Sequence, residues 1–279
     1  MKNKTGLIVA IVALLCLAGG LIAAMIFGIK HFNSFNHNFS FNSNAPLALE
    51  KDFDYDGIKK IYTESDATDI KIFKSETEDN KIKVKIFADK NKAYSAENNS
   101  DSINISVTGH CTGFCWSMTG SRVEITLPES YEGDFEVKTD AGDLTSEDFS
   151  KANFNINSNA GDIEIAAAKA IMIATSAGDI DIREAEEISI ESNAGDIKID
   201  KCTNKLHIST DAGDIRINEL QLSQDSDIKA NAGDISINHA ENIYVDAKTD
   251  FGDVKVQSND RHSEIELKIK TNAGDIKVN

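Results

Sequence analysis

A chain of 279 residues with a formal net charge of −17 lacks the clustered Lys and Arg with which a protein displaces counterions from nucleic acid, so nucleic-acid binding is excluded at the outset. Its 29 basic and 46 acidic residues are interleaved, as on a solvated surface. Two prolines against seventeen glycines indicate regular β structure rather than a disordered chain.

Residues 1–5 carry Lys2 and Lys4, and residues 6–29 then run without a charge. Twenty-four such residues span about 36 Å as a helix, enough to cross a bilayer with some tilt. A cleaved signal peptide would have a shorter apolar core, and Leu15 before Cys16 does not suit a lipobox. The expectation is a signal anchor at 6–29, with the tail 1–5 in the cytoplasm and the remainder outside it. Residues 30–46 form an Asn/Phe/Ser-rich spacer without period, whose His31 and His37 lack partners at metal-ligand spacing.

Strict alternation fills 47–127, as in Ile82-Lys-Val84-Lys-Ile86 and Ile103-Asn-Ile105-Ser-Val107, and period two means half-buried strands. Asp66-Ala67-Thr68-Asp69-Ile70-Lys71-Ile72 matches a phrase that dominates the rest of the chain, with Thr in place of Gly. Residues 47–127 are therefore expected to be degenerate first rungs that act as an N-terminal cap.

Residues 128–279 repeat (Asn/Asp/Ser)-Ala-Gly-Asp-Ile-x-Ile, with glycines at Gly142, Gly161, Gly178, Gly195, Gly213, Gly233, Gly252 and Gly274, spaced 17–22 residues apart. Such a period signals a repeat architecture. Two and four residues after each glycine stand apolar pairs such as Ile180/Ile182 and Ile197/Ile199, which share one strand face. Five residues before the next glycine lies a further apolar column (Ile156, Ile173, Ile190, Ile208), and seven residues after each glycine a mostly small one (Ala168, Ala185, Cys202) that suggests a tight corner or narrow third side. About 18 residues per repeat are too few for a βαβ crossover, so each coil closes on itself and stacks on its sequence neighbour at about 4.8 Å. The expected fold is all-β: a right-handed parallel β-solenoid of about eight coils, with a meander of antiparallel hairpins as the alternative. Gly at the corner fits a backbone that needs φ > 0, and the preceding Asn or Asp suits the same turn.

An aspartate follows every one of these glycines and would stack in one outward line. Each carboxylate can accept backbone N–H bonds within its own turn. The alternative is Ca²⁺ held between rungs by Asp162, Asp179, Asp196, Asp214 and Asp234; no other cofactor is indicated. Cys111 and Cys115 lie outside the repeat and are a candidate local disulfide, with free thiols or a metal site including His110 as alternatives; Cys202 is expected to be a buried thiol. No G-x-S-x-G, H-E-x-x-H, P-loop or Rossmann pattern occurs, and Arg122, Arg183, Arg216 and Arg261 are scattered. No catalytic residues are assigned.

Leu127-Pro128-Glu129-Ser130-Tyr131, leading into Phe135-Glu-Val137-Lys-Thr139-Asp140-Ala141-Gly142-Asp143, resembles a bacterial β-strand-repeat "putative adhesin" domain family of unknown function, over about residues 50–279. The resemblance implies an extracytoplasmic parallel β-helix, often behind a membrane helix, with some members tied to envelope-stress operons and no catalytic residues to transfer. The expected function is thus a non-enzymatic, membrane-anchored, adhesin-like surface for an envelope polymer or protein. An envelope-stress scaffold and a polysaccharide-cleaving β-helix enzyme are the alternatives. The outward ladder Glu164, Asp181, Lys198, Arg216 and Ser236 is the candidate binding face, and the last rung, near Asn279, is expected to be an open edge able to pair with another chain.

Overall fold

The computed structural model describes residues 45–77, 79–109 and 120–279, in which all helix or strand structure is β. The tail 1–5, the run 6–29, nearly all of the spacer, and Cys111 and Cys115 lie outside the described residues. The first strands are β1 (Leu47–Asp54), β2 (Lys60–Lys74), β3 (Lys81–Phe87), β4 (Lys92–Asn99), β5 (Ser102–Gly109) and β6 (Ser121–Leu127). The repeats comprise β7 (Asp134–Ala141), β8 (Leu144–Ala160), β9 (Ile163–Ala177), β10 (Ile180–Ala194), β11 (Ile197–Ala212), β12 (Ile215–Leu220), β13 (Ser226–Ala232), β14 (Ile235–Ala240), β15 (Tyr244–Phe251), β16 (Val254–Val256), β17 (Glu266–Ala273) and β18 (Ile276–Val278).

Each of β8 to β11 is one rung bent at its middle, paired in parallel with its neighbours. The parallel pairing removes the antiparallel-meander alternative for the repeats. Ile163/Ile165, Ile180/Ile182 and Ile197/Ile199 stack in register and are at most 2% exposed. The halves before and after each glycine thus form a first and a second sheet that enclose one core. Differences in rung length are absorbed at the corner away from the glycine. There the register of β8 against β9 shifts between Phe149 and Asn153, and that of β10 against β11 between Ala185 and Glu187. The column seven residues after the glycine marks this corner, and Phe149, Ala168, Ala185, Cys202, Leu220 and Ala240 are buried there.

A further column lies three residues before the glycine. Thr139, Ser158, Thr175, Ser192, Thr210 and Thr271 are buried, and each hydroxyl donates to the carbonyl two residues on, at 2.9–3.4 Å. These bonds satisfy polar groups that burial would otherwise penalise, and they bend the strand into the corner.

The stacking order departs from sequence order at both ends. β2 is a complete rung, but it sits directly on the rung of β7 and β8 and not on the rungs nearest to it in sequence. Thr68 holds the glycine position there, as its sequence suggested: Asp143 N–H donates to Asp69 Oδ1 at 3.2 Å. β5 and β6 form one more parallel rung beneath β2. Beyond them the pairing turns antiparallel, with β4 on β5, β3 on β6 and β1 on β3, which corrects the expectation of degenerate rungs throughout 47–127. For β4 on β5 the cause is connection length. Only Ser100 and Asp101 link β4 to β5, with Ser100 at φ 62°, and so short a turn returns a strand only antiparallel.

At the other end β13 pairs with β17, and β17 in turn with β15; β14 likewise pairs with β18, and β18 with β16. The last rung in sequence is therefore slotted beneath the one before it. Its Ile276 and Val278 are at most 1% exposed, which corrects the expectation that the chain's final rung is the open edge.

Candidate functional site

The glycine corner and its aspartate form one continuous column. The eight repeat glycines have φ from 117° to 148°. At Gly195 an added Cβ would lie 2.1 Å from the carbonyl oxygen of Gly178, so the position needs glycine for its conformation and for the close approach of the rung below. Each repeat aspartate except Asp253, on the outermost rung, accepts from the backbone N–H of the aspartate on the rung stacked next to it. Asp162 N–H donates to Asp143 Oδ1 at 2.9 Å, Asp196 N–H to Asp179 Oδ1 at 2.8 Å and Asp214 N–H to Asp196 Oδ1 at 2.9 Å. The pattern follows the swapped rungs: Asp275 N–H donates to Asp234 Oδ1, and Asp253 N–H to Asp275 Oδ1, each at 2.8 Å. Arg216 holds the other oxygen of Asp214 at 2.7 Å and of Asp196 at 3.3 Å. Among the described residues no three His, Cys, Asp or Glu side chains converge as a metal ion would require.

The residue two before the glycine adds a side-chain ladder. Asn159 Nδ2 donates to Asp140 Oδ1 at 2.9 Å and Asn231 Nδ2 to Asp211 Oδ1 at 2.6 Å. Cys202 is fully buried as expected, and burial pushes its thiol up to about 11.

The outward ladder Glu164, Asp181, Lys198, Arg216 and Ser236 is in register on the second sheet. Its charges are met within the face: Lys198 Nζ lies 2.8 Å from Asp181, and Arg216 holds the corner aspartates. Concavity is found on the first sheet. A depression of about 660 Å³ crosses the strands there, lined by Ala170 and the exposed Met172 of β9. Glu136 and Asn155 line one side, Glu187 and His207 the other. A second depression of about 450 Å³ is lined by Asn157, Asn159, Ala174, Ser176, Glu191 and Asn193. The hollow follows from side-chain length, because the outward residues of β9 include Ala170, Ala174 and Ser176 between rungs that carry Asn and Glu.

At the far rim His207 Nδ1 lies 2.8 Å from Asp227 Oδ1, and Lys229 Nζ donates to Asp227 Oδ2 at 2.8 Å. Burial alone would raise the Asp227 carboxyl, but the bonds from Lys229 and His207 outweigh it and hold the group below its ordinary value. Asn204 Nδ2 donates to Glu187 at 2.9 Å and fixes the nearer wall. The arrangement offers amides, carboxylates, an imidazole and an exposed thioether along an extended hollow, which can accept from and donate to a chain of polar groups. None of these groove residues stood out in the repeat pattern. The available signal was the short outward side chains of Ala170 and Ala174 around Met172, which is 57% exposed.

Residues 58–279 match the family model described as Toastrack DUF4097. Among solved structures, one from Bacteroides fragilis NCTC 9343, described as a "putative adhesin", is 14% identical with a TM-score of 0.50, over 83% of this chain and 96% of that one. A structure from Clostridium sporogenes ATCC 15579, described as a "putative cell adhesion protein", is 12% identical with a TM-score of 0.32, over 82% of this chain and 98% of that one. No curated protein matches the chain.

Proposed function

We propose, from the premise that the chain belongs to the Toastrack DUF4097 family, that it is a non-enzymatic binding protein whose first-sheet hollow takes an extended, hydroxyl-rich polymer of the cell envelope. The hollow over Met172 is the single observation that carries this reading. Its lining presents Asn155 on one side of β9 and Glu187 and His207 on the other as hydrogen-bonding groups, with Ala170 and the exposed Met172 between them. Rungs spaced by about 4.8 Å set successive outward residues (Asn155, Met172, Ser189, His207) in one row across the hollow, along which an extended polymer can lie. The description of the Bacteroides fragilis structure as a "putative adhesin" agrees with such a surface. The apolar run 6–29 anchors the protein in the membrane, with the solenoid on the extracytoplasmic side.

The test is retention of the protein on purified cell-wall glycan. Met172→Glu or Glu187→Lys should abolish retention, while Lys198→Ala on the second sheet should leave it intact. Equal loss with Lys198→Ala, or retention unaffected by both groove changes, would overturn the assignment. Release of soluble sugar during incubation would instead support the enzyme alternative.

A further inference from the structure

The first-sheet hollow and the smaller depression beside it both border β9, the first along Ala170 and Met172 and the second along Ala174 and Ser176. Their two walls differ in charge. The outward positions of β8 on this sheet are all asparagines, Asn153, Asn155, Asn157 and Asn159, whereas those of β10 are Glu187, Ser189, Glu191 and Asn193. Asn153 and Asn159 each give an amide N–H to the rung beneath, to Asp134 at 2.8 Å and Asp140 at 2.9 Å, which leaves their amide oxygens as acceptors.

Six carboxylates line the two depressions against two lysines. Lys60 pairs with Glu136, and Lys205 stands in register beside Glu187, so each lysine already has a carboxylate neighbour. Five of the six carboxylates are met within the protein. Asp134 and Asp211 accept from Asn153 and Asn231, Glu187 from Asn204, Glu136 from Lys60, and Asp227 from Lys229. Glu191 is the exception. Its in-register neighbours are Ala174 and Ser209, and its neighbours on the same face of β10 are Ser189 and Asn193, so no charged side chain stands at any of the four adjoining positions. Glu191 lies one rung and two residues from Met172, about 8 Å between Cα atoms. A sugar ring resting on Met172 can therefore pass a substituent over the short Ala174 to this carboxylate.

Resting on the reading of this hollow as a polymer site, we infer that its ligand carries free primary amines, as a de-N-acetylated aminosugar polymer does, and that Glu191 receives the ammonium. Glu191 then gains the charge partner that its neighbours do not supply, and the amide oxygens of β8 accept from hydroxyls on the opposite side. An acetylated amine offers Glu191 no charge, and a polyanion meets an excess of carboxylates. The net charge of −17 attracts any polycation, so a charge-matched change away from the hollow is the control.

The full chain in detergent is passed over chitosan, chitin and polygalacturonate beads in mildly acidic buffer, where the chitosan amines are protonated. Retention on chitosan should exceed that on chitin by on the order of tenfold, with none on polygalacturonate. Glu191→Gln should lower chitosan retention to near the chitin level. Glu164→Gln, which removes the same charge from the second sheet, should leave it unchanged. Equal loss with the two substitutions would mean bulk attraction and overturn the inference, as would chitin held as tightly as chitosan or no retention on chitosan. Chitin binding that falls with Met172→Glu but ignores Glu191→Gln would leave the polymer site standing and remove only the amine.

Discussion

The two ends of the solenoid solve the same problem in opposite ways. At one end β1, β3 and β4 turn antiparallel and close the core; behind them, in the first regular rungs, Phe135 stacks on Phe154 at a 4.5 Å centroid separation and Tyr131 packs against both Phe135 and Phe149. At the other end β15 and β16 follow the parallel register and stop, so that Val254 stands exposed where Leu144 at the corresponding position of the first regular rung is buried. A stack of like rungs has no intrinsic terminus. It must be closed by a strand that breaks the register or left to pair with something else. The antiparallel end is the structural cap; the parallel end leaves one edge of β15 and β16 without a strand neighbour among the described residues.

The comparison is broken most severely by removing one aromatic from the interior of the stack and one from its open end. Phe135→Ala should cost about 3–5 kcal/mol, since a ring 1% exposed leaves a cavity, whereas Phe251→Ala should stay within about 0.5 kcal/mol. Denaturant unfolding at protein concentrations that keep the chain monomeric checks both, and comparable losses would mean that the open end is buried in solution. A second contrast uses two glycines with the same local clash, Gly195 over the carbonyl of Gly178 and Gly252 over that of Gly274, each 2.1 Å from an added Cβ. Gly195→Ala should cost about 3 kcal/mol because it parts the stack in its middle. Gly252→Ala should cost about 1 kcal/mol, because a terminal rung can detach alone; hydrogen exchange should show its faster opening confined to β15 and β16.

The smallest effect is acidic and belongs to the capped end. Asp79 accepts from Lys83 and from Thr77, and these bonds hold its carboxyl at about 2, below its ordinary 3.8. The stability it adds is complete above pH 3.8 and is lost as pH falls through 2. Asp79→Asn should therefore lower the melting temperature slightly at pH 5, and the difference from wild type should shrink by pH 2. A difference that persisted undiminished at pH 2 would assign Asp79 a role other than its charge.

The rung itself was legible from the residues: the glycine corner, the inward pairs beside it, and even Thr68 as a glycine surrogate. Each depends on a period-two face or a positive φ, both local properties of the chain. The buried hydroxyls of Ser158 and Thr175 were not read as a column, because Ser and Thr are common on exposed faces and only the i+2 carbonyl bond shows them turned inward. The aspartate bonds were expected within one turn and instead bridge rungs, since the carboxylate reaches the next corner's N–H more directly. The groove was harder to see, because it arises from differences in side-chain length between rungs 17 and more residues apart.

The chain alone thus determines what one rung looks like, where it bends and which residues it buries, because those follow from side-chain alternation and backbone conformation over a few residues. Which rung lies on which is decided only in three dimensions. Every corner from Gly142 onward presents the same glycine and aspartate, so the local pattern accepts any neighbour. The C-terminal rung is slotted between β13 and β15, a placement that no local feature of its residues announces.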